Sequence, residues 1–214
     1  MPQTQQTLLF PALLKAMDWN RHMSVLEIGG ALPETLGFFS QFKCRLQFAA
    51  MYGENVLGVS TSELTEAELI EHFTRCLDIP KGQTFDLCLF WDFFNYIDDK
   101  ALKAFNAAIM PHLHQSTRAH AFTVRTLETS FANQQYGIDD SHLFRIRPKV
   151  GTQAKRYPHT QAILLNMLTG FDIDQGMLLP DGRLEVLMTA SNDTGNVAGA
   201  GGIRARGQAK LFGR

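Results

Sequence analysis

Cysteine is scarce in this 214-residue chain: Cys44, Cys76 and Cys88 are its 3 thiols, odd in number and widely spaced. That pattern excludes a disulfide framework and a paired zinc knuckle. Because each cysteine sits in an apolar pattern, all are expected to be buried thiols of a reducing compartment. Net charge is equally small, -1 from 20 basic and 21 acidic side chains, so no global attraction to nucleic acid or an anionic membrane arises. Long apolar runs are missing too. The stretch from Leu8 to Leu14 is too short to span a bilayer, and Met1-Pro2-Gln3-Thr4-Gln5-Gln6 lacks the basic region of a signal peptide, so a cytoplasmic location is expected. No P-loop and no Ser-His-Asp signature is present.

What is there suits a globular chain: 45% hydrophobic and 19% charged residues, enough for one α/β domain with a sizeable core and too little for two. The most informative stretch is Ser24-Val25-Leu26-Glu27-Ile28-Gly29-Gly30-Ala31-Leu32-Pro33-Glu34-Thr35. A β-type apolar run ends there in a carboxylate and a glycine pair, then enters a helical pattern through Leu36, Phe38, Phe39 and Phe42. This is how α/β proteins present backbone N–H groups and a helix start to a ligand, and it is equally the form of a plain strand-to-helix connection. Pro33 suits the first helical position, where a missing N–H costs nothing.

Along the chain, helical spacing predicts an amphipathic helix over residues 7–19, with Pro11 in its first turn. A strand from Ser24 to Gly29, a helix from Glu34 to Phe42 and a strand around Cys44 to Met51 follow. A long helix spans roughly Ser62 to Ile79, with Thr65-x-x-Glu68 as a capping box if the helix begins slightly later and Pro80-Lys81-Gly82 as its stop. Phe85-Asp86-Leu87-Cys88-Leu89-Phe90-Trp91 is a near-continuous apolar run, as expected of a central parallel strand covered on both faces. Asp98 or Asp99 caps the next helix, whose inner face is Leu102, Phe105, Ile109 and Leu113, and Ala119 to Thr126 is a strand. Residues 127–155 show no clear period and are expected to form a long irregular connection. A helix through Ala162, Ile163, Leu165 and Leu168 closes at Gly170 in the C′ position, and Pro180-Asp181-Gly182 turns a final hairpin, Phe171 to Leu179 and Leu184 to Ala190.

The expected fold is therefore α/β: a doubly wound, mostly parallel sheet with a C-terminal antiparallel hairpin, over residues 1–190 with an N-terminal helix. Residues 191–214 hold six glycines and four basic side chains against the single acid Asp193, and are expected to be a disordered Gly/Arg-rich tail, dispensable for folding. Solubilisation is the simpler role for it, and contact with a protein partner the other.

This series resembles the class I S-adenosylmethionine-dependent methyltransferases, Rossmann-like in fold, over roughly residues 20–190. Val25-Leu26-Glu27-Ile28-Gly29-Gly30 looks like the family's first motif; Phe85 to Ile97 is similar to its fourth strand and following loop; Leu168-Thr169-Gly170-Phe171 leading to Leu184-Glu185-Val186-Leu187 is like its terminal hairpin. The resemblance implies that Glu27 orients the cofactor's amino group, that Gly29 and Gly30 line its methionine tail, and that Trp91 and Asp92 face the methyl group. Asp92 would then be catalytic, with Asn95 and Tyr96 in a substrate-facing loop. Outside the resemblance, Glu27 reads equally as a helix-capping carboxylate and Trp91 as a core aromatic, and Phe93 and Phe94 read as core.

The chain departs from the family's pattern in three places. Ala31 and Pro33 stand where the family's later glycines fall. No carboxylate ends the second strand, where Ala49, Ala50 and Met51 lie, so two ribose hydroxyls would go without an acceptor, forfeiting on the order of 1–3 kcal/mol. The third strand, whose edge holds adenine in the family, is shortened or absent. Binding of S-adenosylmethionine is therefore expected to be weak or absent. Of the histidines, His112-x-His114 lacks a nearby third ligand, so no metal site is expected, while His159 beside Tyr157 is a candidate base or a structural residue. Two functions stay open: methyl transfer to an unknown small-molecule or protein acceptor, and a catalytically inactive descendant of the fold that holds a protein partner. Neither requires a membrane or nucleic acid.

Overall fold

A computed structural model describes residues 3–129, 134–149 and 155–191; the tail from Asn192 onward lies outside the described residues. The central sheet has six strands, and its core member is the run Phe85–Trp91 (β4), buried at every position. Parallel to it lie Met23–Ile28 (β2) on one side and Leu113–Val124 (β5) on the other, and Cys44–Ala49 (β3) pairs in parallel with β2. Val25 stands opposite Leu87, so the two strands that carry the glycine motif and the apolar run are direct neighbours. Beyond β5, the hairpin Phe171–Leu178 (β8) and Arg183–Ala190 (β9) completes the order β3-β2-β4-β5-β9-β8, with β9 antiparallel to both neighbours. Gly182 (φ 86°) makes its turn possible in the left-handed region.

Alternation along β4 dresses both faces. Cys88 and Phe90 point into a core shared with helices Glu66–Leu77 (α4), Asp99–Ile109 (α5) and Gln161–Met167 (α6). Leu87, Leu89 and Trp91 point into a second core with Phe10–Lys15 (α1) and Pro33–Phe39 (α2). The sheet is thus doubly wound, as expected. Thr65 and Glu68 form the capping box of α4, Asp98 caps α5 through Ala101 N–H, and Phe93 and Phe94 are core. Helix α4 ends earlier than expected, at Asp78 in the left-handed conformation (φ 48°).

Further expectations are corrected, among them Leu113, which opens β5 instead of lying on the inner face of α5. Within the span 127–155, of which residues 130–133 and 150–154 lie outside the described residues, Gln134–Asp140 (β6) and Leu143–Pro148 (β7) are not irregular but pair antiparallel, and β7 also pairs with Gln3–Gln6 (β1), giving a separate sheet of order β1-β7-β6. Consequently the first helix begins only at Phe10, because the residues before it are claimed by that sheet and by a capping bond from Phe10 N–H to Thr7 Oγ1. Gly170 does not occupy the helix-closing position, since α6 is capped at Leu168. It is required because a Cβ there would lie 2.8 Å from Met110 Cγ and 3.1 Å from Asn106 Oδ1. Of the cysteines only Cys88 is fully buried; Cys44 and Cys76 are half-buried.

The second sheet is pinned to the first. Glu185 on β9, wholly buried, accepts from Thr7 Oγ1, from Leu8 N–H at 2.9 Å and Leu9 N–H at 3.3 Å, and meets His120 Nε2 at 2.9 Å. Arg183 links three elements at once, donating to Tyr136 Oη (2.8 Å), Gln5 Oε1 (2.5 Å) and Asp181 Oδ2 (2.6 Å). Ser191, placed by composition in the tail, is buried and donates its N–H to Gly170 O at 2.9 Å. Between β3 and β4 the chain forms only Glu54–Leu57 (α3) and α4, so among the described residues no strand covers the outer edge of β3. Among the described residues no helix is long and apolar enough to cross a membrane.

Candidate functional site

A cleft of about 430 Å³ opens at the carboxyl ends of β2, β3 and β4, the end at which open α/β sheets place ligands. Glu27, Ile28, Gly29 and Gly30 line it from β2 and its exit, Ala50, Tyr52, Gly53 and Asn55 from the exit of β3, and Trp91 from β4. Gln134, Gln135, Tyr136 and Lys149 close it from the second sheet.

Glu27 is 2% exposed. Its Oε1 accepts from Trp91 Nε1 at 3.2 Å, while Oε2 is buried without a hydrogen-bond partner among the described residues. Burial, offset only in part by the Trp91 bond, pushes this carboxyl up to about 8, so it carries a proton at neutral pH. Beyond it Gly29 takes φ 154°, a region that disfavours side chains, and a Cβ on Gly29 or Gly30 would find no protein atom within 4 Å. The glycine pair therefore leaves open space beside an unsatisfied carboxyl oxygen.

Trp91 has φ 49°, left-handed for a bulky residue, which costs of order 1–3 kcal/mol and persists only where surroundings impose it. Those surroundings are its bond to Glu27, the edge of Phe144 at 5.2 Å and the face of Tyr136, stacked at 5.3 Å and 7°.

Asp92 lies beneath the cleft rather than in its wall. Wholly buried, it accepts from Tyr52 Oη (2.7 Å) and Tyr96 Oη (3.1 Å), and burial pushes its carboxyl up to about 6 against those two bonds. Its link to the cleft is Tyr52, whose ring is a wall. Asn95 and Tyr96, expected to face substrate, are both buried and line no part of this cleft. The Asn95 amide donates to Asp92 O (3.0 Å) and Phe122 O (2.9 Å) while its Oδ1 accepts from Val124 N–H (2.8 Å), the arrangement of a strut under the loop. His159 is likewise structural: buried, it meets the carbonyls of Phe94 and Ile97 through Nε2 at 3.0 and 2.9 Å. His112 meets Gln83 O at 2.8 Å and His114 lies 3.2 Å from Asp86, and among the described residues no 3 of the His, Cys, Asp and Glu side chains converge as a metal site would require.

Sequence reasoning placed Glu27, Gly29, Gly30 and Trp91 together, and the fold brings all of them to one cleft. It missed Tyr52, Gln134, Gln135, Tyr136 and Lys149. A signal for part of this existed: Tyr136 and Ile138, then Phe144 and Ile146, are buried at alternate positions on either side of the polar Asp139-Asp140-Ser141-His142.

No protein-family model matches the chain, and no curated protein matches it. Among solved structures it is similar to an S-adenosylmethionine-dependent methyltransferase from Clostridium acetobutylicum, at 16% identity over 85% of this chain and 90% of that one, with a TM-score of 0.49. It is similar to a Burkholderia thailandensis 1,6-didemethyltoxoflavin-N1-methyltransferase with bound S-adenosylhomocysteine, at 14% identity over 86% and 77%, TM-score 0.46. A third likeness is to the pyocyanin biosynthetic protein PhzM, at 14% identity over 86% of this chain, TM-score 0.48; the match spans only 55% of PhzM.

Proposed function

We propose that the cleft binds S-adenosylmethionine through Glu27, Gly29 and Gly30, and that the protein transfers methyl groups to a small-molecule or protein acceptor. The observation that carries this reading is Glu27 Oε2, a buried carboxyl oxygen without a partner at the mouth of a glycine turn. An arriving ammonium group would satisfy it with a charge-assisted hydrogen bond and draw the carboxyl back to its ionised form. When bound, the cofactor supplies an electrophilic methyl group on a sulfonium. Glu27 binds and orients, the glycine pair leaves room for a tail, Trp91 walls the site, and Asp92 fixes the Tyr52 ring. The contribution of these residues to rate is one of positioning.

A second reading, an inactive methyltransferase-like fold that binds a protein partner, is favoured by Ala50. It lines the cleft at the exit of β3 where a ribose would look for a carboxylate, and among the described residues no strand pairs with the outer edge of β3.

Calorimetric titration of the intact protein with S-adenosylmethionine and S-adenosylhomocysteine decides between them. Binding weaker than micromolar is expected, with a further loss of about 1 kcal/mol or more in Glu27→Ala and a gain in Ala50→Asp. Absence of binding at millimolar ligand would overturn the first reading and leave the second standing.

A further inference from the structure

Lys149 is the one cationic side chain that lines the cleft among the described residues, and it follows directly on β7 of the second sheet. Its ammonium sits 3.1 Å from the centroid of the Tyr52 ring. The Tyr52 hydroxyl is turned away, committed to Asp92, so the ring offers the ammonium only its π face. No carboxylate pairs with Lys149 among the described residues, because Asp92, the nearest acid acting on it, bonds to Tyr52 and Tyr96 instead. The same cleft is lined by polar groups suited to an anion's remaining lone pairs, the side-chain amides of Gln135 and Asn55, with one N–H of the Gln134 amide left beside the one it donates to Tyr136 Oη at 2.7 Å. The neighbouring wall residue Ala50 adds no charge. A partly desolvated ammonium held on an aromatic face, in a cavity whose other acid, Glu27, is protonated at neutral pH, is a receptor for negative charge.

We infer that the Lys149 ammonium seats an anionic group, a carboxylate or phosphate, of a small molecule that enters the cleft in addition to a sulfonium donor. This rests on the reading of the cleft as a small-molecule site and adds the class of the second ligand.

The test uses pairs of probes that differ only in the anion, titrated into the intact protein by calorimetry: benzoate against benzamide, adenosine 2′-monophosphate against adenosine, and S-adenosylhomocysteine against its carboxamide, which keeps the ammonium. A preference of about tenfold or more for the anionic member is expected in the first or second pair, lost in Lys149→Met and Lys149→Gln and restored in Lys149→Arg. Melting temperatures of the variants establish that each is folded; Lys149 lies just beyond a strand and is half-buried, so at least one neutral variant will serve. A preference confined to the third pair assigns the ammonium to the donor's own carboxylate and overturns the proposal. Equal binding within every pair, or no binding of benzoate and the nucleotide at all, overturns it too. Failure of the donor reading is a separate result, absence of binding by both members of the third pair, and leaves the first two comparisons intact.

Discussion

Trp91 at the end of the central strand and Tyr136 on the second sheet lie face to face, their planes 7° apart and centroids 5.3 Å apart. The stack joins the two sheets at the rim of the cleft, and Arg183 holds its outer member in place through the Tyr136 hydroxyl at 2.8 Å. Cleft shape is therefore coupled to the docking of a sheet that begins at the third residue of the chain.

Glu27 makes stability fall with rising pH. Its carboxyl titrates near 4.5 when unfolded and near 8 when folded, so its contribution is fully present below 4.5 and is lost as pH rises to about 8. Glu27→Gln removes that titration. Urea denaturation at pH 5 and pH 8 should show the variant gaining on the wild type at the higher pH by roughly 1–3 kcal/mol. Parallel pH profiles for the two proteins would contradict the assignment.

Asp92→Asn places an amide against two hydroxyl donors. One of the bonds from Tyr52 and Tyr96 must be broken or reversed, and the expected cost is about 1–3 kcal/mol. A denaturation midpoint unchanged from wild type would show that the tyrosines reorient freely.

The Glu185 cluster should control docking of the N-terminal segment. Burial opposes ionisation of Glu185, yet the bonds from His120, Thr7 and Leu8 hold its carboxyl below the usual range, so its contribution is present above the ordinary glutamate pKa and lost as pH falls through the folded value. Glu185→Ala strands a histidine nitrogen and two backbone N–H groups, with an expected loss of about 3 kcal/mol. Hydrogen exchange at Leu8 and Leu9 should rise first; protection equal to wild type would disprove the anchoring role.

Two glycine substitutions separate fold from site. Gly170→Ala meets Met110 and Asn106 and should lower stability by about 1–3 kcal/mol, leaving ligand affinity unaltered in the folded fraction. Gly30→Ala meets no protein atom, so its melting temperature should match the wild type while binding of S-adenosylhomocysteine weakens. Equal binding by Gly30→Ala and wild type would take the glycine pair out of the site.

The fold's outline was legible because its signals are local. An apolar run buried on both faces, a capping box at Thr65 and Glu68, and a Pro-Asp-Gly turn each act within a few residues, and β4, α4 and the β8–β9 hairpin formed where they pointed. The glycine motif was legible for the same reason, and with it Glu27, Gly29 and Gly30.

The rest of the site was decided by contacts between residues far apart in the chain. Strand β7 acquires its meaning from pairing with β1, more than a hundred residues earlier, and no window around Arg145 contains that partner. The same pairing carries Tyr136 onto Trp91 and Lys149 onto Tyr52, while the Asn95 amide, expected in a substrate-facing loop after the central strand, is consumed by the carbonyls of Asp92 and Phe122. Local hydrogen bonds and periodicity determine which elements form; only the burial of apolar faces against distant partners, which tertiary structure alone arranges, decides which side chains a cleft receives.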